Sequence, residues 1–288
     1  MADSNEFELD VCLPSYDYVF KPDLLQGKVA FVTGGGSGIG FTVTEILMRH
    51  QCDTVIASRN LHRLQEAAKK LQAATGQRCL PLQVDVRKPE QVLHSVETAL
   101  KHYGRIDILV NGAAGNFPSP ASSLSFNGFK TVLEIDTMGT FNTSKAVYDK
   151  YMRDHGGVII NISATLAYRG QLFQIHASAA KAAIDSMTMT LCNEWGPQGV
   201  RVVGLAPGPI ADTEGLRRLG EEVFTEETLK KVPLQRIGTK RDVGDVAVFA
   251  ASPAASYISG HTIVLDGGHW MTCDNNFSFY TKMMAPKL

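Results

Sequence analysis

The sequence has little excess charge of either sign. Its 28 Lys and Arg residues stand against 29 Asp and Glu, a net charge of −1 at pH 7. That balance argues against a generic nucleic-acid or membrane-surface binder, while leaving local arginines to hold an anionic small molecule. Cysteine is scarce: Cys12, Cys52, Cys79, Cys192 and Cys273 are odd in number and scattered. With no CxxC and no Cys/His cluster, no metal site is expected, and the thiols read as reduced, structural and intracellular. No apolar run is long enough to span a bilayer, and the polar, acidic N-terminus does not read as a signal peptide. No proline-rich linker, low-complexity tract or repeat divides the 288 residues, so one domain is expected.

What is present is an alternation. Short runs rich in Val, Ile and Leu occur at Val29 to Val32, Thr54 to Ala57, Leu80 to Val84, Ile106 to Val110, Val158 to Ile162, Val200 to Leu205 and Thr262 to Leu265. Runs without polar alternation suit strands buried on both faces, as in a parallel sheet. Between them, Leu61 to Ala74, Pro89 to His102, Phe126 to Arg153 and His176 to Trp195 carry helical spacing. Strand-helix alternation predicts a doubly wound α/β sheet, whose ligands sit beyond the carboxyl ends of the strands.

The first strand runs into Thr33-Gly34-Gly35-Gly36-Ser37-Gly38-Ile39-Gly40 and then a helix. Gly34, Gly38 and Gly40 depart from the common GxGxxG spacing. Between a buried strand and a helix they still suit a pyrophosphate resting on the helix N-terminus. The turn from Gly34 through Gly35, Gly36, Ser37, Gly38 and Ile39 is therefore expected to hold a dinucleotide. The second strand ends Ala57-Ser58-Arg59-Asn60, with no acid to bind a ribose 2′-hydroxyl. Arg59, with Asn60 beside it and Arg63 one helical turn on, suits a 2′-phosphate, so NADPH/NADP+ is expected over NAD. Asp85 after the third strand is either an acceptor for the adenine amino group or a strand-end cap. Asn111-Gly112-Ala113-Ala114-Gly115 follows the fourth strand with residues small enough to pass close to a ribose. Pro207-Gly208-Pro209-Ile210, then Thr213, follows the sixth; it is either a nicotinamide contact or a plain proline turn.

Together TGGGSGIG, NGAAG, the helix carrying Lys181 and PGPI resemble the short-chain dehydrogenase/reductase family, over roughly Leu25 to Gly268. The resemblance implies a single-domain Rossmann-type sheet of about seven parallel strands. Residues 1–24 are then an N-terminal extension and 269–288 a C-terminal tail. An ordinary member uses Asn, Ser, Tyr and Lys. Here the tyrosine place, four before Lys181, is Ala177; the serine place, seventeen before it, is Ala164, flanked by Ser163 and Thr165; the asparagine place is Asp136. Only Lys181 is intact. A carboxylate beside a retained lysine can hold and polarise a water, so Asp136 and Lys181 are the expected catalytic pair, with Lys181 also on the nicotinamide ribose. Asp185, four residues after Lys181, either extends that relay or makes a routine helix salt bridge.

The pattern resembles the 2,4-dienoyl-CoA reductases, and their peroxisomal branch in Ala113 to Phe117, Glu194 to Gln198, Leu205 to Ile210 and Thr213 to Gly220. In the mitochondrial branch a tyrosine stands fifteen residues before the lysine; here that place is Leu166, with Tyr168 two positions on. The resemblance implies NADPH-dependent hydride delivery to C5 of a 2,4-dienoyl-CoA and protonation at Cα, giving a 3-enoyl-CoA. The alternatives are a 2-enoyl-CoA reductase or a non-catalytic NADP(H)-binding protein. For the acyl-CoA substrate, Arg59, Arg87 and Arg218 are candidate phosphate ligands, and Phe117, Ser125, Phe126 and Asn127 candidate thioester or pantetheine contacts. Leu172, Phe173, Ile175 and Leu219 are candidates for an acyl pocket. The stretch from Ile210 to Val232 is long enough to act as a lid. The terminal Pro286-Lys287-Leu288 resembles a Ser-Lys-Leu peroxisomal address, which makes a peroxisomal import receptor an expected partner. A homo-oligomer, tetramer or dimer, is implied by the family.

Overall fold

Every apolar run becomes a strand of one sheet. The computed structural model describes residues 10–213, 216 and 229–272. Its strands are β1 (Val29–Thr33), β2 (Asp53–Ser58), β3 (Cys79–Gln83), β4 (Ile108–Asn111), β5 (Gly157–Ile162), β6 (Val200–Pro207) and β7 (Thr262–Leu265). They lie in the order β3-β2-β1-β4-β5-β6-β7, and each neighbouring pair is parallel. The chain leaves β1 toward one edge and returns to β4 on its other side, so the strand order reverses between β1 and β4. That is where an open α/β sheet leaves a crevice for a ligand.

The unbroken apolar runs follow from having two cores. Ala30, Val32, Ile108 and Val110 face one side, where they pack with Val43, Ile46, Leu47, Val243 and Ala247. Phe31, Leu109 and Ile159 face the other, against Val92, Val96, Val147, Leu191 and Trp195. Alternate residues of a strand point to opposite faces, so a strand covered on both sides has no polar positions to spare.

The helices are α1 (Gly38–Arg49), α2 (Leu61–Thr75), α3 (Pro89–Tyr103), α4 (126–155), α5 (Ile175–Trp195), α6 (Lys240–Ala251) and the short α7 (His269–Thr272). Two wide, π-type turns interrupt α4, at Glu134–Met138 and Tyr148–Met152. Simple helical spacing across Phe126 to Arg153 does not reveal them. α6 lies outside the four helical segments read from spacing. Its start was nonetheless legible: Thr239 and Asp242 form a reciprocal capping box, each side chain accepting from the other's backbone N–H.

Residues before β1 pack onto the domain. Tyr16 is buried beneath α1 and α6; its hydroxyl donates to Asp245 Oδ1 at 2.8 Å and lies 3.2 Å from His50 Nε2. His50 Nδ1 lies 2.9 Å from the Lys21 carbonyl. Removing the hydroxyl strands the buried His50 Nε2 and takes one donor from the half-buried Asp245, which keeps Arg241. Tyr16→Phe should therefore lower the unfolding free energy by about 1–3 kcal/mol. Urea denaturation reads this as a lower midpoint at unchanged slope; an unchanged midpoint would mean that the strap lies outside the cooperative unit.

Candidate active site

The glycine turn between β1 and α1 is folded tightly by contacts only glycine permits. Gly34 has φ +71° and would drive a Cβ to 2.7 Å from the Gly112 carbonyl oxygen. A Cβ on Gly40 would sit 2.3 Å from the Gly34 carbonyl oxygen. Thr33 ties this turn to the one after β4: its Oγ1 accepts from the backbone N–H groups of Gly112 and Ala113 at 3.1 and 3.2 Å. The two turns that border the β1/β4 crevice are thus one unit. Gly40→Ala should abolish the tight turn, destabilise the fold and remove saturable NADPH binding, as read by calorimetry. Wild-type affinity in that variant would show that the turn does not form the cofactor cradle.

The N-terminus of α1 accepts an anion in this structure. Asp10 Oδ2 accepts from Gly38 N at 3.0 Å, and the same carboxylate pairs with Lys240 at 2.7 Å and approaches Arg63 at 3.7 Å. Ser37 is the N-cap in extended conformation, while Gly35 and Gly36 pack against Ile56 and Leu64. Ile39 rests against the core. Helix N–H groups that already hold an anion, Lys240 and Arg63 beside them and exposed Arg59 suit a phosphate-bearing dinucleotide that displaces Asp10, so the residues fit the cofactor. Asn60 caps α2 by accepting from Arg63 N at 3.0 Å.

Some expected ligands are engaged elsewhere. Asp85 and Arg87 bind each other, Arg87 Nη2 donating to Asp85 Oδ2 at 2.6 Å, and this contact holds the Asp85 carboxyl below its ordinary pKa. Adenine and CoA phosphate would each have to compete with that pair. Pro207 ends β6, but Ile210 is buried in the core and bridges Gly238, which favours packing for its side chain. Thr213 Oγ1 donates to the Ile210 carbonyl at 2.8 Å. Ser125 is the N-cap of α4, accepting from Gly128 N at 3.0 Å. Phe126 is 98% exposed beside Asn127. Phe117 packs on His176, Ile175 is half exposed, and Phe173 accepts from Ser119 N at 2.9 Å. Arg218 and Leu219 lie outside the described residues, as do most of the lid candidate and the C-terminal tripeptide.

Asp136 and Lys181 meet. Lys181 Nζ lies 3.0 Å from Asp136 Oδ2 and donates to the Ile162 carbonyl at 2.9 Å. Asp136 Oδ1 accepts from Gly115 N at 2.7 Å. Oδ2 meets the ammonium as an ion pair outside hydrogen-bond angles, so it retains a lone pair for another donor. Asp136 is 1% exposed and Lys181 8%. The wide turn Glu134–Met138 places Asp136 against the Gly115 loop, and such turns recur at functional sites. An ammonium has three donors, so with Ile162 holding one, two remain for ligands. Ala177 and Ala164 leave no hydroxyl at their positions, and Asp185 accepts from Thr262 Oγ1 at 3.0 Å on β7 rather than pairing with Lys181.

The residues that hold the pair in place were missed in the sequence. Asn111 Nδ2 donates to Ser144 Oγ and Asn161 Oδ1, both at 2.9 Å, while Thr143 Oγ1 donates to Asn111 Oδ1 at 2.5 Å. Asn161 Nδ2 donates to Thr188 Oγ1 at 2.9 Å. The signal was there: an asparagine near the end of each of two apolar strands, at Asn111 and Asn161.

A family model described as enoyl-(acyl carrier protein) reductase matches residues 34–269. A peroxisomal 2,4-dienoyl-CoA reductase [(3E)-enoyl-CoA-producing] of Danio rerio is 58% identical over 272 residues, 94% of this chain and 91% of that one. The chain belongs to the short-chain dehydrogenase/reductase family. An Arabidopsis thaliana protein of the same name is 44% identical, each chain being covered to 89%. Among solved structures, a gluconate 5-dehydrogenase from Burkholderia cenocepacia in complex with NADP and tartrate superposes with a TM-score of 0.82. It is 28% identical and covers 88% of this chain and 98% of its own. Family membership indicates a nicotinamide cofactor.

Burial holds the imidazoles of His176 and His269 below the ordinary histidine pKa. Their folded pKa values lie below the unfolded one, so the unfolded chain binds more protons in that window. Stability from these groups is fully present above about pH 6.5 and is lost as the pH falls toward the depressed folded values. Melting temperatures across pH 5–8 should fall on the acid side, and less so in His269→Gln.

Proposed function

We propose that this chain is an NADPH-dependent 2,4-dienoyl-CoA reductase that yields a 3-enoyl-CoA in the peroxisome. The observation that carries the reading is the buried Asp136–Lys181 pair in a site whose tyrosine and serine places are alanine. A ketone reductase must protonate oxygen, and no phenol stands four residues before Lys181. A conjugated thioester instead accepts the proton at carbon.

When bound, the reduced nicotinamide supplies the hydride. Gly34 to Ile39 and the α1 N-terminus would hold its pyrophosphate, Arg59 its 2′-phosphate, and one of the two free Lys181 donors its ribose. Asp136 Oδ2 and Lys181 hold a water, the ammonium favouring release of its proton to Cα as charge spreads over the diene and thioester. Asp136 stays fixed by the Gly115 N–H. Exposed Phe126 and Asn127, and Arg218, receive the CoA portion. The tail Pro286-Lys287-Leu288 is read by a peroxisomal import receptor. The chain works as a homo-oligomer. The relatives' names support the substrate and the compartment; the absence of an acid at Arg59 supports the cofactor.

Oxidation of NADPH is measured with 2,4-hexadienoyl-CoA, 2-hexenoyl-CoA and a simple ketone. Turnover of the dienoyl ester is expected, and Asp136→Asn or Lys181→Ala should lower kcat by about 10²–10⁴-fold. Preference for the enoyl ester would move the assignment to a 2-enoyl-CoA reductase. Saturable NADPH binding without turnover would leave a non-catalytic protein, and near-normal rates in both variants would remove the pair from the mechanism.

A further inference from the structure

One buried imidazole has no part in the mechanism above. His176 is the second residue of α5, next to Ala177 and five residues before Lys181. It is 0% exposed, and its ring packs at 4.5 Å on Phe117. Among the described residues, neither Nδ1 nor Nε2 makes a well-aligned hydrogen bond, and the polar group the ring reaches is the Phe117 backbone. The Phe117 backbone and the Asp136 carboxylate both favour a proton on the ring, but burial outweighs them and keeps it neutral. A neutral imidazole carries one donor nitrogen and one acceptor nitrogen. A fully buried ring with at least one nitrogen left unmet is a costly arrangement that a native fold retains for a reason.

The chemistry supplies that reason. Each reduction consumes one proton at Cα, yet Asp136 and Lys181 are 1% and 8% exposed. The proton drawn from their water must be replaced through a path that crosses the protein. His176 stands on the first turn of α5 against Phe117, two residues beyond Gly115, whose N–H binds Asp136 Oδ1; the opening residue of that helix, Ile175, is 50% exposed. We propose that His176 is the relay residue that resupplies this proton, through a water shared with Asp136 Oδ2. One ring nitrogen gives its proton to the base left at that water while the other takes one from the solvent side. The ring ends neutral, and one proton has entered for each delivered to Cα. His176 touches neither substrate nor cofactor in this scheme; it acts through the water.

The proposal rests on the dienoyl-CoA reading, so the test has two arms. His176→Phe keeps the ring contact with Phe117 and removes both nitrogens. It should lower kcat by about 10- to 100-fold, leave KM for the dienoyl ester within about twofold and enlarge the solvent isotope effect. His176→Ala should recover rate on addition of imidazole. A wild-type kcat in His176→Phe overturns the relay. The second arm needs neither cofactor nor substrate: the His176 ring is titrated by ¹⁵N NMR in the wild type and in Asp136→Asn. Loss of the carboxylate should lower the histidine pKa, and identical titrations would overturn the coupling. A wild type that leaves dienoyl-CoA unreduced sinks the functional reading, and the NMR arm still decides the relay.

Discussion

The site depends on a buried amide contact between two strands. Asn111 and Asn161 lie paired across β4 and β5, and each reaches on to a helix hydroxyl, Ser144 on α4 and Thr188 on α5. Amides unpaired in a dry interior are penalised heavily, so the helices are held at one height against the sheet. Asp136 rides on α4 and Lys181 on α5. Their 3.0 Å approach is the downstream result of a polar network that touches neither of them.

That rigidity explains how two charges persist where water is scarce. A buried ion pair is seldom a net gain in stability, and removing one partner costs about 3–5 kcal/mol. Asp136 is compensated further by the Gly115 N–H and Lys181 by the Ile162 carbonyl. Stability alone would favour apolar residues at these positions. The pair makes sense as machinery, built into a site from which the hydroxyl acid has gone.

The sheet was legible because burial on both faces writes itself as unbroken Val, Ile and Leu; all seven runs became strands, in the expected parallel sense. Asp136 and Lys181 were legible because motif spacing places them, and they meet in space. What spacing cannot carry is how side chains satisfy one another. Arg87 and Asp85 looked like two ligands and are each other's partner. His176 looked like one more helix residue, since an unpaired nitrogen has no sequence signature. The wide turn holding Asp136 is invisible for a related reason: a π turn keeps apolar residues facing the core and shifts the register by only one residue.

The strap ahead of β1 has a consequence for the order of assembly. Its anchors lie far along the chain: Tyr16 reaches Asp245 across 229 positions, and Asp10 reaches Lys240 across 230. Contacts of such separation form late, because a long loop must close before they repay its entropy. On a ribosome, the strap must wait until about 230 further residues have been made. Until α6 emerges, Asp10 has no Lys240 to meet, and the α1 N-terminus lacks the cation that holds its capping carboxylate.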